Sequence, residues 1–136
     1  MTDRWSVAHL FFRQVNPNHW DGHTPNSQAF VPFPKDKDQL SVDDSSLVSP
    51  EGAWTHFTTA LGLKSAGTWA ISLGEINEAG NLFVESSPVE NEEEPQKDNP
   101  AHCHVDFSEV SSKGQKRRKA QTLAMYASER GCLFQP

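Results

Sequence analysis

The sequence predicts an α+β fold, a small, mostly antiparallel sheet covered by two helices at about 50–61 and 112–130. Three observations lead there. Short apolar alternations of period two recur along the chain, with turn residues between them. Two segments switch to helical spacing, and each has its own start and stop signals. The strands are segregated rather than regularly interleaved with helices, which argues against a doubly wound parallel sheet.

In chain order, Trp5 to Val15 reads as the first strand, apolar on both faces and so suited to the sheet interior. Asn16 to Ser27 is a loop, marked by Asn-Pro, Asp-Gly and Thr-Pro-Asn. Gln28 to Phe33 reads as a short edge strand, because Pro32 limits it. Lys35 to Asp38 is a charged turn, and Leu40 to Val42 pairs back. Ser49-Pro50-Glu51 opens the first helix: a capping hydroxyl, a proline at the first position, and an acid at the positive end of the dipole. Ala53, Trp54, Phe57, Ala60 and Leu61 form its apolar face, and Gly62 ends it.

Gly67 to Leu73 alternates as a strand, Glu75 to Gly80 is a polar turn, and Asn81 to Val84 is a short strand. Residues 86–100 form an acidic, Pro- and Glu-rich loop with little to bury, expected to be mobile. Ala101 to Phe107 is a strand with Cys103, Val105 and Phe107 on one face. The last helix carries an apolar stripe of Ala120, Leu123, Ala124 and Ala127, and Gly131 stops it. Cys132 to Phe134 adds a terminal strand; it and Gln28–Phe33 are the edges that a second chain would pair with in a homo-oligomer.

At 136 residues the chain is one domain, 1–136, long enough to bury a core without cross-links. Four Trp and eight Phe supply much of that burial. Two cysteines are too few for a secreted disulfide framework and read as reduced core thiols. The stretch Val7 to Phe12 is broken by His9 and is too short for an export signal or a membrane span. A cytoplasmic, non-membrane protein is the expectation.

A net charge of −6 argues against general nucleic-acid affinity. The charge is uneven, with six acids and one Lys from Glu85 to Asp98, then five basic residues from Lys113 to Lys119. Lys116, Arg117, Arg118 and Lys119 are the candidate phosphate contacts. They oppose the helix macrodipole where they stand, which hints at a role beyond helix formation. Attraction to the acidic loop is the plainer reading.

The most specific polar string is His102-Cys103-His104-Val105-Asp106. Alternation sends its two imidazoles and its carboxylate to one face, about 6–7 Å apart. Such a set is a candidate Zn or Mn site, with His19 and His23 as further ligands. Asp106, left unligated, would serve as a general base. The string resembles the His-x-His-x-Asp motif of metallo-β-lactamase-type hydrolases. That family continues with a second-metal His where this chain has Phe107, and its fold needs a longer chain. A second layout, Arg13 on the first strand followed by Ser27, resembles ADP-ribosyltransferase folds. The resemblance implies that Arg13 and Ser27 hold a nicotinamide nucleotide and a later acid, Glu75 or Glu85, catalyses.

No Gly-rich phosphate loop, nucleophile elbow or CxxC pair is present. Trp20, Phe33 and Phe134 lie in or near turns, as a protein-partner surface would place them. The leading expectation is therefore a non-enzymatic binding or regulatory module acting through a protein partner, in a bacterial multi-gene setting. The alternatives are a metal-dependent hydrolase or nuclease, a nucleic-acid-associated protein, and an ADP-ribosyltransferase-like enzyme.

Overall fold

The computed structural model describes residues 5–33 and 37–136. Among them are the strands β1 (Leu10–Gln14), β2 (Gln39–Asp44), β3 (Thr68–Ser72), β4 (Phe83–Ser86) and β5 (His102–Asp106). They form one sheet in the order β3-β1-β2-β5-β4, and every neighbouring pair is antiparallel. The helices are α1 (Pro50–Thr55), α2 (Leu73–Ala79) and α3 (Lys113–Arg130). The α+β architecture is as the sequence predicts. The expected turn at Lys35–Asp38 lies partly outside the described residues.

The two faces of the sheet differ. Phe11, Leu40, Val42, Trp69, Ile71, Cys103 and Val105 face α3, where Ala120, Leu123, Ala124 and Ala127 meet them. Small residues on α3 let the helix sit close, and each large apolar side chain buried there contributes roughly 1.5–3 kcal/mol. The other face carries a smaller cluster of Phe12, Ala53 and Ala70, with Leu10 and Val48 against it. Helix α1 therefore covers only the β3–β1 side of that face. The β2–β5–β4 side is left polar, with Ser41, His102, His104 and Asp106.

The caps explain the helix boundaries. Ser49 Oγ accepts from Gly52 N at 2.9 Å. Helix α1 then runs into a π-helical turn, His56–Ala60, and together these span the predicted first helix. Ser112 Oγ accepts from Gln115 N at 3.1 Å, and Gly131 ends α3 at φ 93°. Helix α2 is longer than the predicted polar turn because Ser72 and Glu75 form a capping box, which turns Leu73 and Ile76 into helical core contacts.

Three expectations are corrected. Gln28–Phe33 is not an edge strand; Ser27–Phe30 is a 3-10 turn. Asn26 Oδ1 accepts from Gln28 N at 2.9 Å, so the backbone finds a local partner instead of a sheet ladder. The terminal segment is not an open edge. Thr68 N donates to Phe134 O at 2.8 Å and Leu133 N to Thr68 O at 2.8 Å, which closes the outer side of β3. Gly67 permits that approach, since a Cβ there would lie 2.6 Å from Phe134 O. Finally, Cys103 is buried but Cys132 is exposed, so the second is no core thiol; no disulfide joins them.

The acidic loop folds back on itself. Val89 and Asn99 exchange backbone hydrogen bonds at 3.0 and 2.9 Å, and Pro95–Lys97 makes a 3-10 turn. This carries Val89, Lys97 and Asn99 over the half-covered sheet face. No helix among the described residues is long and apolar enough to cross a membrane.

Candidate binding cleft

Strands β1 and β2 pair only at Phe11↔Asp44 and Phe12↔Asp43. From there toward Gln39, β2 stays on β5 and parts from β1. Arg13 fills the split. Its Nη1 donates to Ser41 O at 3.0 Å and its Nε to Ala29 O at 2.7 Å. The guanidinium thus supplies a donor where the ladder ends, and so satisfies a strand carbonyl.

Above this split lies a cleft of about 250 Å³. Phe12, Arg13, Ser41 and Asp43 form its floor. Ala53, His56, Phe57, Leu61 and Leu63 wall one side; Val89, Lys97, Asn99 and His102 wall the other. A second cleft, about 290 Å³, runs toward His19, Val31 and Phe33. Arg13, Gln14, Ser41, Phe57 and Leu63 line both, so the two adjoin.

Asp43 is the unusual group. Burial pushes its carboxyl above the ordinary range, outweighing the opposing pull of the Asn99 hydrogen bond and of His102, His56 and Arg13. Among the described residues one donor reaches it, Asn99 Nδ2 at 2.8 Å. His56 stands close enough to bias Asp43, and its Nε2 is buried without a hydrogen-bond partner. Trp69 Nε1 is also buried without a partner, but it lies in the core rather than in a cleft. A concave site that sets Phe57, Leu61 and Leu63 beside convergent polar groups and a perturbed carboxyl has the character of a binding site.

His102 lies across from Asp43 in the β2–β5 register. Its Nδ1 is 2.8 Å from Ser87 O, which can only accept, so that nitrogen carries the proton. Nε2 stands 3.2 Å from the Ser41 hydroxyl. The Ser87 hydroxyl reaches His104 Nδ1 at 3.0 Å, and His104 Nε2 stands 3.8 Å from Glu85. The two histidines do share one face, as alternation requires. Asp106 is engaged in accepting from Ser108 N at 2.8 Å. His19 lines the second cleft and His23 sits in an exposed turn with Asp21. Among the described residues no group of three or more His, Cys, Asp and Glu is placed to hold a metal ion.

The other candidates disperse. Ser27 begins the 3-10 turn, Glu75 is bound to Arg130 at 2.8 Å, and Glu85 lies beside His104; none lines either cleft with Arg13. In the basic run, Lys116 pairs with Asp38 at 2.9 Å and Lys119 donates to Ala79 O, while Arg117 and Arg118 are exposed. A concavity of about 470 Å³ beside Lys113, Lys116 and Arg117 includes that same Asp38. No ion pair among the described residues joins the run to the acidic loop. Trp20 packs edge-on against Trp69 at 5.7 Å, and Phe134 packs on Trp54 at 5.6 Å. Both are occupied within the fold. Phe33, 54 % exposed, lines the second cleft.

Sequence reading finds Arg13 and His102 but misses Ser41, Asp43, His56 and Asn99. The acid doublet Asp43-Asp44, directly after an apolar alternation, is the one signal that points toward them. Compared with known proteins, the chain matches no family model, no curated protein and no solved structure.

Proposed function

We propose that this protein is a binding module acting through a partner protein, and that it holds an extended segment of that partner across the half-covered sheet face. The adjoining of the two clefts carries the reading. Each, at about 250 and 290 Å³, is small against the roughly 300–1,000 Å³ of a small-molecule pocket. Each suits a side chain, and their shared border suits a chain running from one to the other. Leu63, 50 % exposed, lines both clefts, and Leu61 and Phe33 extend the apolar surface at either end. This occupant differs from the aromatic patch that the sequence suggests, since Trp20 and Phe134 are used internally.

The test is site-specific photo-crosslinking in cells. A crosslinker at Leu63 should capture one defined protein, and one at Met125 on α3, equally exposed at 48 %, should not. Equal capture from both sites, or none from Leu63, contradicts the reading.

A second reading, acyl transfer, is favoured by the Ser41–His102 pair. A hydroxyl 3.2 Å from a ring nitrogen whose partner nitrogen is fixed by a backbone carbonyl has the layout of nucleophile, base and orienter. A fluorophosphonate probe that modifies Ser41 in the native protein and fails in His102→Ala would support it. No modification of Ser41 removes it.

A further inference from the structure

We infer that the anchor of the bound segment is a lysine, its ammonium seated at Asp43 and His56 and its methylene stem along Phe57, Leu63 and Val89. This deepens the proposed function and rests on the same cleft. Asp43 is incompletely satisfied within the fold. Asp43 is set in a desolvated floor with Asn99 as its donor among the described residues. Burial outweighs the pull of His102, His56 and Arg13, so the ionised carboxyl stays costly, and a cation brought by a ligand relieves that cost. Arg13 Nε and Nη1 donate to the carbonyls of Ala29 and Ser41, and Lys97 pairs with Glu94 at 2.7 Å.

An ammonium offers three N–H donors and no acceptor. The cleft offers the Asp43 carboxylate, the unpartnered Nε2 of His56, which accepts in its Nδ1–H tautomer, and the Ser41 oxygen. The Ser41 hydroxyl oxygen, 3.2 Å from His102 Nε2, keeps a lone pair to accept from an ammonium. A carboxylate or phosphate ligand would meet acceptors on all these sides.

Lysine buries an apolar stem behind a charged head, and the cleft sets Phe57, Leu63 and Val89 beside the Asp43 carboxylate. Glu90, Glu92, Glu93 and Glu94 are exposed on the loop that forms one wall. With a net charge of −6, they steer a cationic segment toward the site.

The experiment is a titration of isotope-labelled protein, followed by amide NMR, with Nα-acetyl-lysine methylamide and with the same compound acetylated on Nε. The two probes share one methylene stem; acetylation removes the charge and adds a small acyl group, and the Asp43→Asn variant separates charge from size. The charged probe should move the amides of Ser41, Asp43, His56 and Asn99 saturably. Nε-acetylation should weaken the apparent affinity at least tenfold, and Asp43→Asn should do the same while leaving the rest of the spectrum unchanged. Equal effects of the two probes, no saturable change, or an unaffected Asp43→Asn variant overturns the inference. Lysine binding without a crosslink at Leu63 would leave the cation site standing and remove the partner reading. A crosslink at Leu63 without charge dependence would do the reverse.

Discussion

Asp43 and Asp44 sit side by side on β2, and alternation sends them to opposite faces of the sheet. Asp44, 4 % exposed, faces Phe11 and Trp5. It accepts from Trp5 Nε1 at 3.2 Å, Ser46 N at 2.9 Å and Ser46 Oγ at 2.8 Å, and lies 2.6 Å from His9 Nε2. Burial pushes its carboxyl up, but the bonds from Ser46, His9 and Trp5 outweigh burial and hold it below the ordinary range. Asp43 faces the cleft with one donor among the described residues and lies above that range. The same residue type on the same strand is thus a strut on one face and an unmet demand on the other. Residue counts cannot tell the two apart, but the census of donors can.

The largest effect should come from Asp44→Ala, which leaves the donors of Trp5, His9 and Ser46 without their acceptor. Urea unfolding at neutral pH should register a loss of about 2–4 kcal/mol. A loss under about 1 kcal/mol would make Asp44 incidental. Asn99→Ala should cost about 1 kcal/mol and raise the Asp43 carboxyl further, because it removes the donor that favours ionisation. Asp43→Asn should be neutral or should stabilise by up to about 1 kcal/mol at neutral pH, since binding sites hold groups that the fold alone does not favour. A loss as large as that of Asp44→Ala would abolish the contrast.

The pH dependence sharpens it. Asp44 has a folded pKa below its unfolded value. Its contribution is full above the unfolded value of about 3.9 and is lost as pH falls through the lowered folded value. Asp43 has a folded pKa above its unfolded value. Its ionised form burdens the fold at neutral pH, and that burden lifts as pH falls through the raised value toward about 3.9. The native protein should therefore converge on Asp43→Asn first, from below. It should converge on Asp44→Ala only at more acid pH, from above. Unfolding curves of the three proteins across that range check the order.

Much of the fold is legible where the signals are local. Ser49-Pro50-Glu51 and Ser112 with Gly131 mark helix ends by caps that need no tertiary context. The α3 stripe is read residue for residue, because 3.6 periodicity over 18 residues leaves little choice. Residues 28–33 mislead because Phe30, Val31 and Phe33 have strand-like composition while Asn26 supplies a local cap. The α2 boundary misleads because Ser72 serves both β3 and the capping box. The cleft is barely legible. Its residues come from β1, β2, the π-helical turn, the acidic loop and β5, and what unites them is the parting of β1 from β2. Where they part, Arg13 bonds Ser41 O, a contact between residues on different strands that no local pattern encodes.

Carboxyl-carbon NMR titration of Asp43 and Asp44, with and without the capped lysine, tests the central claim most directly. The account predicts that Asp43 titrates above the ordinary aspartate value and Asp44 below it, and that the lysine lowers Asp43 while leaving Asp44 in place. Two carboxylates titrating together, or a lysine that moves both or neither, would contradict it.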